Sequence, residues 1–225
     1  MFRGILVAAL LLAGCASGQN EAQQQVLVDR ATLAVQEVMT AGDRPQDATD
    51  TLKRARAALV CPRFFRAGFI FGGEGGACVL SARDGSGSWS SPAFYSMGAA
   101  SFGLQAGITD ASLVVLVMND RALTALLRDQ VRFGGDANLT FATFGAGIGG
   151  GTTAAAGADY VALAQSRGLF AGLSLQGSYM NYDAAGARAY YGRDATAQQI
   201  VIDMAAHNPA ADPLRAMLMR FGNRQ

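Results

Sequence analysis

Short apolar runs separated by glycines fill the sequence from Val60 to Tyr191. The chain has 28 glycines against five prolines, with no collagen-like period. Glycines spaced in this way are typical of tight turns, bulges and close backbone contacts, which favours β architecture over a helix bundle. Because helical patterns flank this region, the sequence predicts an α+β fold. We expect a curved, mostly antiparallel β-sheet or partial barrel, with N-terminal, central and C-terminal helices packed on it.

Seven segments of this region are strand candidates. They are residues 68–72, 77–82, 94–107, 109–118, 137–144, 160–165 and 169–179. The run Gly72 to Gly76 between the first two indicates a hairpin or a bulged connection. Leu113 to Met118 is apolar at every position, so we expect it to lie centrally in the sheet.

The N-terminal third has a helical pattern. One apolar stripe recurs at spacings of three and four residues and consists of Leu27, Ala31, Ala34, Val35 and Val38. Gly42 to Pro45 ends this helix, and a second helix is predicted to run to about Leu59.

Further helices are predicted in the centre and at the C-terminus. Asn119 or Asp120 can cap a central helix that ends at Gly134-Gly135. Its expected buried stripe is Leu123, Leu126, Leu127 and Val131. A helix from about Asp194 is expected to end at Asn208-Pro209, and a last helix to start at Asp212-Pro213. The buried stripe of that last helix would be Leu214, Met217, Leu218 and Phe221.

The first residues are typical of a targeting signal. Arg3 precedes a short apolar run from Ile5 to Ala13, and Leu12 to Cys15 is similar to the lipobox of bacterial lipoproteins. A transmembrane anchor is the alternative, but spanning a bilayer takes about 20 apolar residues and this run has roughly half of that. We therefore expect cleavage before Cys15 and acylation of that residue.

This signal divides the chain into three parts. Residues 1–14 would be the lipoprotein signal peptide, residues 15–25 the acylated cysteine and a short flexible tether, and residues 26–225 a single domain with a C-terminal helical extension. Ala16 and Ser17 follow Cys15 without an aspartate, which in this class usually implies delivery to the outer membrane. The domain would then face the periplasm.

The other two cysteines, Cys61 and Cys78, form an even pair in an oxidising compartment. They could be joined by a disulfide, or they could be two small buried residues in neighbouring strands. The sequence alone leaves both alternatives open, because a disulfide requires close Cα atoms.

Little in the sequence points to catalysis, a metal or a cofactor. Residue His207 is the chain's single histidine, no CxxC motif occurs, and the GxSxG, HExxH and Walker motifs are missing. A net charge of +1 excludes a general nucleic-acid binder. We expect no enzyme activity, no cofactor and no metal site.

A basic run is the one clear electrostatic feature. Five cations stand between positions 53 and 66 with no acid among them, namely Lys53, Arg54, Arg56, Arg63 and Arg66. On a tethered protein they could face anionic lipid head groups. The alternative is a solvated surface whose arginine stems cover apolar area.

The order of several short motifs resembles the SYLF, or Ysc84-type, lipid-binding domain family. The motifs are residues 67–69, 72–76, 89–94, 101–107, 116–119, 134–137, 166–172 and 190–192, so the resemblance extends from about Leu52 to Ile202. It implies a lipid-binding module, with Arg66 at a position that is usually basic in the family. Eukaryotic members bind phosphoinositides and some bind actin filaments, whereas bacterial members are typically exported.

The sequence and the resemblance together predict a membrane-anchored lipoprotein that binds lipid without catalysis. The bacterial periplasm offers phosphatidylglycerol, cardiolipin and lipid A as anionic ligands. The alternative is an envelope module that binds a protein or the cell wall through a sheet edge or through the loop around Trp89.

Overall fold

The computed structural model describes residues 2–41, 45–68, 71–102, 107–128, 130–133, 140–144, 157–168 and 177–223. The helices are α1 (Phe2–Thr40), α2 (Pro45–Arg54), α3 (Asp120–Leu126), α4 (Ala184–Tyr191), α5 (Ala197–Val201) and α6 (Asp212–Gly222), with a 3-10 turn at Pro209–Ala211. The strands are β1 (Ala57–Gly68), β2 (Phe71–Ala82), β3 (Ala93–Phe102), β4 (Gly107–Val117), β5 (Gln130–Arg132), β6 (Phe141–Phe144), β7 (Tyr160–Gly168) and β8 (Tyr179–Tyr182).

The strands form one eight-stranded sheet in the order β5-β8-β3-β2-β1-β4-β7-β6. Every pairing is antiparallel except that of β6 with β7, which is parallel. Within the described residues the sheet has two edges and is not closed into a barrel. The predicted α+β class, with a mostly antiparallel sheet and helices at both ends and in the centre, is confirmed.

Helices cover both faces of this sheet. On β4, Ser112 Oγ donates a hydrogen bond to Glu37 Oε2 of α1 at 2.8 Å. The hydroxyl of Tyr160, on the other face, donates to the carbonyl oxygen of Ala122 in α3 at 2.9 Å. The central strand residues between these layers, such as Leu113 to Val117 of β4, are fully buried, as their uniform apolar sequence predicts.

The α1 stripe is confirmed, since Ala31, Ala34, Val35 and Val38 are buried and Leu27 is partly buried against the core. The helix also extends back through residues 15–25, where a flexible tether was expected. Glutamine, glutamate and alanine in that stretch are good helix formers, so the helix propagates through them. The division into signal peptide, tether and domain stays a prediction.

Three predicted helices are shorter than expected: the helix predicted from about Asp194 to Asn208-Pro209 is α5, which ends at Val201, and α2 and α3 also end early. Helix α2 ends at Arg54, not near Leu59, because the Arg56 amide donates to the Val117 carbonyl oxygen and starts the β1 ladder. Helix α3 does begin at the Asn119 cap, but it ends at Leu126. Val131 therefore belongs to β5, where it pairs with Met180 of β8, and Gly134-Gly135 lies outside the described residues. At the ends of α2 and α3, pairing of the chain with a neighbouring strand overrides the helical pattern.

The C-terminal part contains one helix that the sequence pattern did not predict. Helix α4 is capped by Asp183, which accepts from the Gly186 amide, and ends at Gly192 with φ of 66°. Two glycines and two tyrosines in or beside it obscure its helical period. In α6 the predicted stripe is confirmed, with Leu214 and Leu218 fully buried.

The glycine run from Gly72 to Gly76 lies inside β2 and is not a turn, so the hairpin interpretation was wrong. The bulge occurs in the partner strand: the β1–β4 register shifts between Cys61 and Phe64. A Cβ on Gly76 would lie 2.3 Å from the Arg63 carbonyl oxygen. Glycine is needed there because the bulged backbone fills the space of a side chain.

Of the remaining strand predictions, the segment at 68–72 includes only the last residue of β1 and the first two of β2, with residues 69 and 70 outside the described residues, and most of β1 was not predicted as a strand. In the segment at 169–179, the described residues 177 and 178 are not strand. The segments predicted at 94–107, 109–118 and 160–165 correspond to β3, β4 and β7. Of the segments at 137–144 and 169–179, residues 137–139 and 169–176 lie outside the described residues, while β6 and the start of β8 fall within them.

Cys61 and Cys78 are joined by a disulfide in the structure, with their Cα atoms 4.1 Å apart. Both residues are fully buried, and the bond links β1 to β2 where the bulge begins. It closes a loop of sequence separation 17 that contains the bulge and the β1–β2 connection.

Asp159 connects α3 to the strands beside it. Its carboxylate accepts from Asn119 Nδ2 at 2.7 Å and from the Thr140 amide at 2.8 Å. Burial raises the pKa of Asp159, but the bonds from Thr140 and Asn119 and the charge of Arg121 lower the pKa more, so it lies below the usual 3.8. The ionised carboxylate therefore favours the folded state.

We expect Gly76→Ala to lower the free energy of unfolding by about 1–3 kcal/mol, because the added methyl group overlaps the Arg63 carbonyl oxygen. The matched control is Gly73→Ala in the same strand, where a Cβ would meet nothing within 4 Å. That control should be neutral or stabilising by up to about 1 kcal/mol. Urea unfolding of both variants measures the difference, and equal losses would contradict the close-contact explanation.

Breaking the Cys61–Cys78 disulfide should lower the free energy of unfolding by about 3 kcal/mol, the magnitude for a loop of this length. The measurement compares urea unfolding of protein refolded with and without dithiothreitol. The control is the double variant Cys61→Ala/Cys78→Ala, whose unfolding should not respond to dithiothreitol. An unchanged unfolding curve for the reduced wild type would contradict the prediction.

Asp159→Asn should lower the free energy of unfolding at pH 7 by about 1–3 kcal/mol, the range for hydrogen bonds to a charged group. The folded-state pKa of Asp159 is depressed, so its stabilisation is present above about pH 4 and is lost as the pH falls through that lower pKa. The difference in the free energy of unfolding between wild type and Asp159→Asn should therefore become smaller as the pH falls from about 5 to about 2. Asp203→Asn, at an exposed carboxylate, is the control and should produce no such narrowing.

Candidate functional site

The predicted basic run does not form one patch. Lys53 and Arg54 lie in the last turn of α2, and Lys53 Nζ is 3.0 Å from Asp50 Oδ1. Arg54 is exposed and has no ion-pair partner among the described residues. These two cations therefore stand apart from those on the sheet.

The next two arginines are each held by a carboxylate from a neighbouring element. Arg56 Nε lies 2.7 Å from Asp120 Oδ1, and Arg63 Nε lies 2.8 Å from Asp110 Oδ2. Seven positions of extended chain separate the two arginines, which corresponds to about 20 Å. The backbone of Arg66 pairs with Glu74 and Thr109, but its side chain lies outside what the structure describes.

An open groove of about 500 Å³ lies between α1 and the bulged part of β1 and β2. Its apolar lining consists of Val26, Leu27, Pro62, Phe65 and Ala77, with the backbone of Gly75 and Gly76. Its polar lining consists of Gln23, Arg30 and Arg63. Of the described side chains in the predicted basic run, Arg63 belongs to this groove and Lys53, Arg54 and Arg56 do not.

The two groove cations differ in how their charge is balanced. Arg30 is exposed on α1 and has no ion-pair partner among the residues that the structure describes. Arg63 is paired with Asp110, and its guanidinium carbon lies 5.9 Å from the centre of the Phe65 ring. The groove thus has one unbalanced positive charge on one side and a fixed arginine on the other.

Exposed apolar side chains surround the groove. Val26 is 47% exposed, Leu33 65% and Phe65 40%. Val26, Arg30 and Leu33 recur at spacings of four and three residues, so they share the outer face of α1. We call Val26, Arg30, Leu33, Arg63 and Phe65 the docking face.

Helix α1 also contains the predicted lipidation residue. Cys15 precedes Gln23, at the edge of the groove, by eight residues of continuous helix, which is about 12 Å along the axis. The side chain of Cys15 lies outside the described residues. Among the residues that the structure describes, no helix has the length and apolar character needed to cross a membrane.

The only histidine is close to a serine, but the pair is not arranged for nucleophilic catalysis. His207 Nδ1 lies 3.3 Å from Ser91 Oγ. In a catalytic triad the serine bonds to Nε2 while a carboxylate orients Nδ1, and no carboxylate bonds to His207 in the described part of the chain. No cluster of three or more metal-ligating side chains occurs among the described residues either.

Trp89 is only 1% exposed, which removes it from the surface on which a partner could bind. The Arg83 guanidinium stacks on its ring at 4.7 Å, and Arg215 donates to its carbonyl oxygen. As far as the structure describes them, the two edge strands are also short, since β5 has three residues and β6 four. A loop–partner contact through Trp89 is therefore not supported by this geometry.

Sequence reasoning did not find the groove or Arg30. The signal that was present is the outer face of α1, where Val26 and Leu33 are apolar but stand off the core stripe on either side of Arg30. Helical periodicity identifies such residues as exposed. The opposite wall could not be found in this way, because it depends on the β1 bulge.

The chain is similar to proteins from several eukaryotes. It is 31% identical over 172 residues to LAS seventeen-binding protein 3 of Saccharomyces cerevisiae, covering 75% of this chain and 37% of that protein. It is 30% identical over 192 residues to an SH3 domain-containing protein of Schizosaccharomyces pombe, covering 84% and 43%. With SH3 domain-containing YSC84-like protein 1 of Homo sapiens it shares 29% identity over 157 residues, covering 69% and 46%.

The chain spans less than half the length of these relatives, and the name of the Saccharomyces cerevisiae protein describes a binding protein. Residues 98–221 match the family model Ysc84, described as "Las17-binding protein actin regulator". This match covers more than half of the chain and includes most of the sheet and the C-terminal helices. The chain therefore belongs to the Ysc84, or SYLF, family.

Proposed function

We propose that this protein is a non-catalytic lipoprotein that binds anionic lipid at the bacterial outer membrane, anchored through acylated Cys15 and facing the periplasm. The observation that carries the proposal is the docking face, where three exposed apolar side chains lie beside Arg30, which has no ion-pair partner among the residues with a described position. An exposed apolar patch with cations at its margin fits the interfacial region of an anionic bilayer.

The position of the docking face on α1 supports this orientation. The same helix carries Cys15, so an acyl anchor there keeps the outer face of α1 within a few turns of the bilayer. A bond between Cys61 and Cys78 also fits an oxidising compartment such as the periplasm.

The predicted cations contribute unequally to this proposal. Each arginine or lysine near an anionic surface is worth about 1 kcal/mol when its charge is available. Arg30 and Arg54 have no ion pair among the described side chains. By contrast, Arg56 forms an ion pair with Asp120, and Arg63 forms one with Asp110. We therefore expect Arg30 to matter most, because it lies within the docking face.

A protein partner is the second candidate. The name of the yeast relative LAS seventeen-binding protein 3 states that it binds a protein, and an exposed apolar face also suits a protein interface. For this chain the protein partner would be an envelope protein, and the same interaction module could instead bind the cell wall. It would use the docking face, since Trp89 is buried.

We expect the mature-length chain, residues 15–225 with Cys15→Ser, to co-sediment with vesicles that contain phosphatidylglycerol and to bind pure phosphatidylcholine vesicles weakly. Leu33→Asn should weaken binding to both, because it removes an inserted side chain. Arg30→Gln should lower affinity for the anionic vesicles about fivefold, which corresponds to about 1 kcal/mol.

The matched controls are Ile202→Asn, which removes another exposed apolar side chain, and Arg128→Gln, which removes an exposed cation beside α3 on the opposite face. Neither should change vesicle binding. Equal binding to neutral and anionic vesicles would contradict the electrostatic part. No vesicle affinity, together with a stoichiometric protein crosslinked in the periplasm, would favour the second candidate.

A further inference from the structure

The groove has a volume in the range of ligand sites and is open to solvent. Its volume of about 500 Å³ falls within the range of roughly 300–1,000 Å³ that is usual for small-molecule sites. One wall is α1, with Val26 and Leu27, and the other is Phe65 on the bulged strand. A bilayer surface would cover such a groove but would leave its interior unfilled.

The floor of the groove is formed by side chains no larger than a methyl group. Gly75, Gly76 and Ala77 follow one another on β2, and Ala77 is exposed within the groove. The Cys61–Cys78 disulfide fixes this strand to β1 directly below the bulge. The floor is therefore apolar and exposed at Ala77 and is held in place by a covalent bond, while the Arg63 carbonyl oxygen occupies the side-chain space of Gly76.

The polar groups at the groove indicate the charge that one end of a ligand should carry. Arg30 supplies an unbalanced positive charge in the described structure, and Gln23 lies on the same side of α1 about two turns earlier. Arg63 stands on the opposite wall, already paired with Asp110. A ligand with a hydrocarbon tail and one anionic head matches this distribution of charge.

We propose that the groove takes up a single acyl chain of an anionic amphiphile, with the head group at Arg30 and the chain along Gly75 to Ala77. This inference rests on the proposed lipid-binding function, and it goes further by assigning a site for one lipid molecule withdrawn from the bilayer. The protein would then hold a lipid monomer as well as contact the membrane surface.

The experiment is isothermal titration calorimetry of the mature-length Cys15→Ser chain, residues 15–225, with dodecyl phosphate below its micelle concentration, and with uncharged dodecyl maltoside as a comparison. We expect one dodecyl phosphate per chain. Ala77→Phe fills the groove and should weaken this binding more than tenfold, while Ala216→Phe, at an exposed alanine of α6, should not change it.

Two further variants separate the groove from the docking face. Arg30→Gln should weaken dodecyl phosphate binding about fivefold and leave dodecyl maltoside binding unchanged. Unlike Ala77→Phe, this variant adds no aromatic ring that the fold would have to accommodate. Leu33 does not line the groove, so Leu33→Asn should weaken vesicle binding and leave the titration unchanged.

Vesicle binding without any binding of dodecyl phosphate, or equal titrations for Ala77→Phe and Ala216→Phe, would overturn the acyl-chain site and leave the proposed function standing. Binding of dodecyl phosphate that Ala77→Phe abolishes, in a protein with no vesicle affinity, would keep the site and overturn membrane docking. The two proposals therefore fail by different measurements.

Discussion

The contact between the Arg63 carbonyl oxygen and Gly76 determines the shape of the region around the candidate site. The extra residue of the β1 bulge pushes this carbonyl into the space that a Cβ of Gly76 would occupy. Glycine at that position lets the two strands stay paired above and below the bulge. The disulfide then fixes the displaced segment, and Arg63 and Phe65 are directed toward α1 as a result.

Sequence patterns correctly predicted those elements whose structure depends on residues close together in the sequence. The uniformly apolar run at Leu113 to Val117, the α1 stripe and the Asn119 cap were all readable, because burial and capping depend on residues close in sequence. The end of α2 and the place of Val131 in a strand could not be predicted in this way, because each depends on pairing with a strand that is distant in sequence. The glycine run of β2 was misread for the same reason: its requirement for glycine comes from the bulged β1 strand.

The candidate site also depends on contacts between residues that are distant in sequence, so local patterns did not predict it. Proximity in sequence grouped five cations from Lys53 to Arg66, yet a turn from helix to strand spreads Lys53, Arg56 and Arg63 over different elements, each with its own carboxylate. The groove cation that has no ion pair among the described residues, Arg30, belongs to another helix and reaches the groove through packing of α1 on the sheet. Charge balance depends on three-dimensional neighbours, which a linear count of charges does not reveal.

The anchor and the groove reinforce each other if Cys15 is acylated as proposed. A tether converts lipid encounter into an intramolecular event, so the groove samples the bilayer at a high effective concentration. A site on the same helix, about 12 Å from the anchor, then needs only modest affinity for a single chain to be occupied. A shallow, open groove with one unbalanced cation is suited to that condition, because it can exchange lipid with the membrane instead of retaining it.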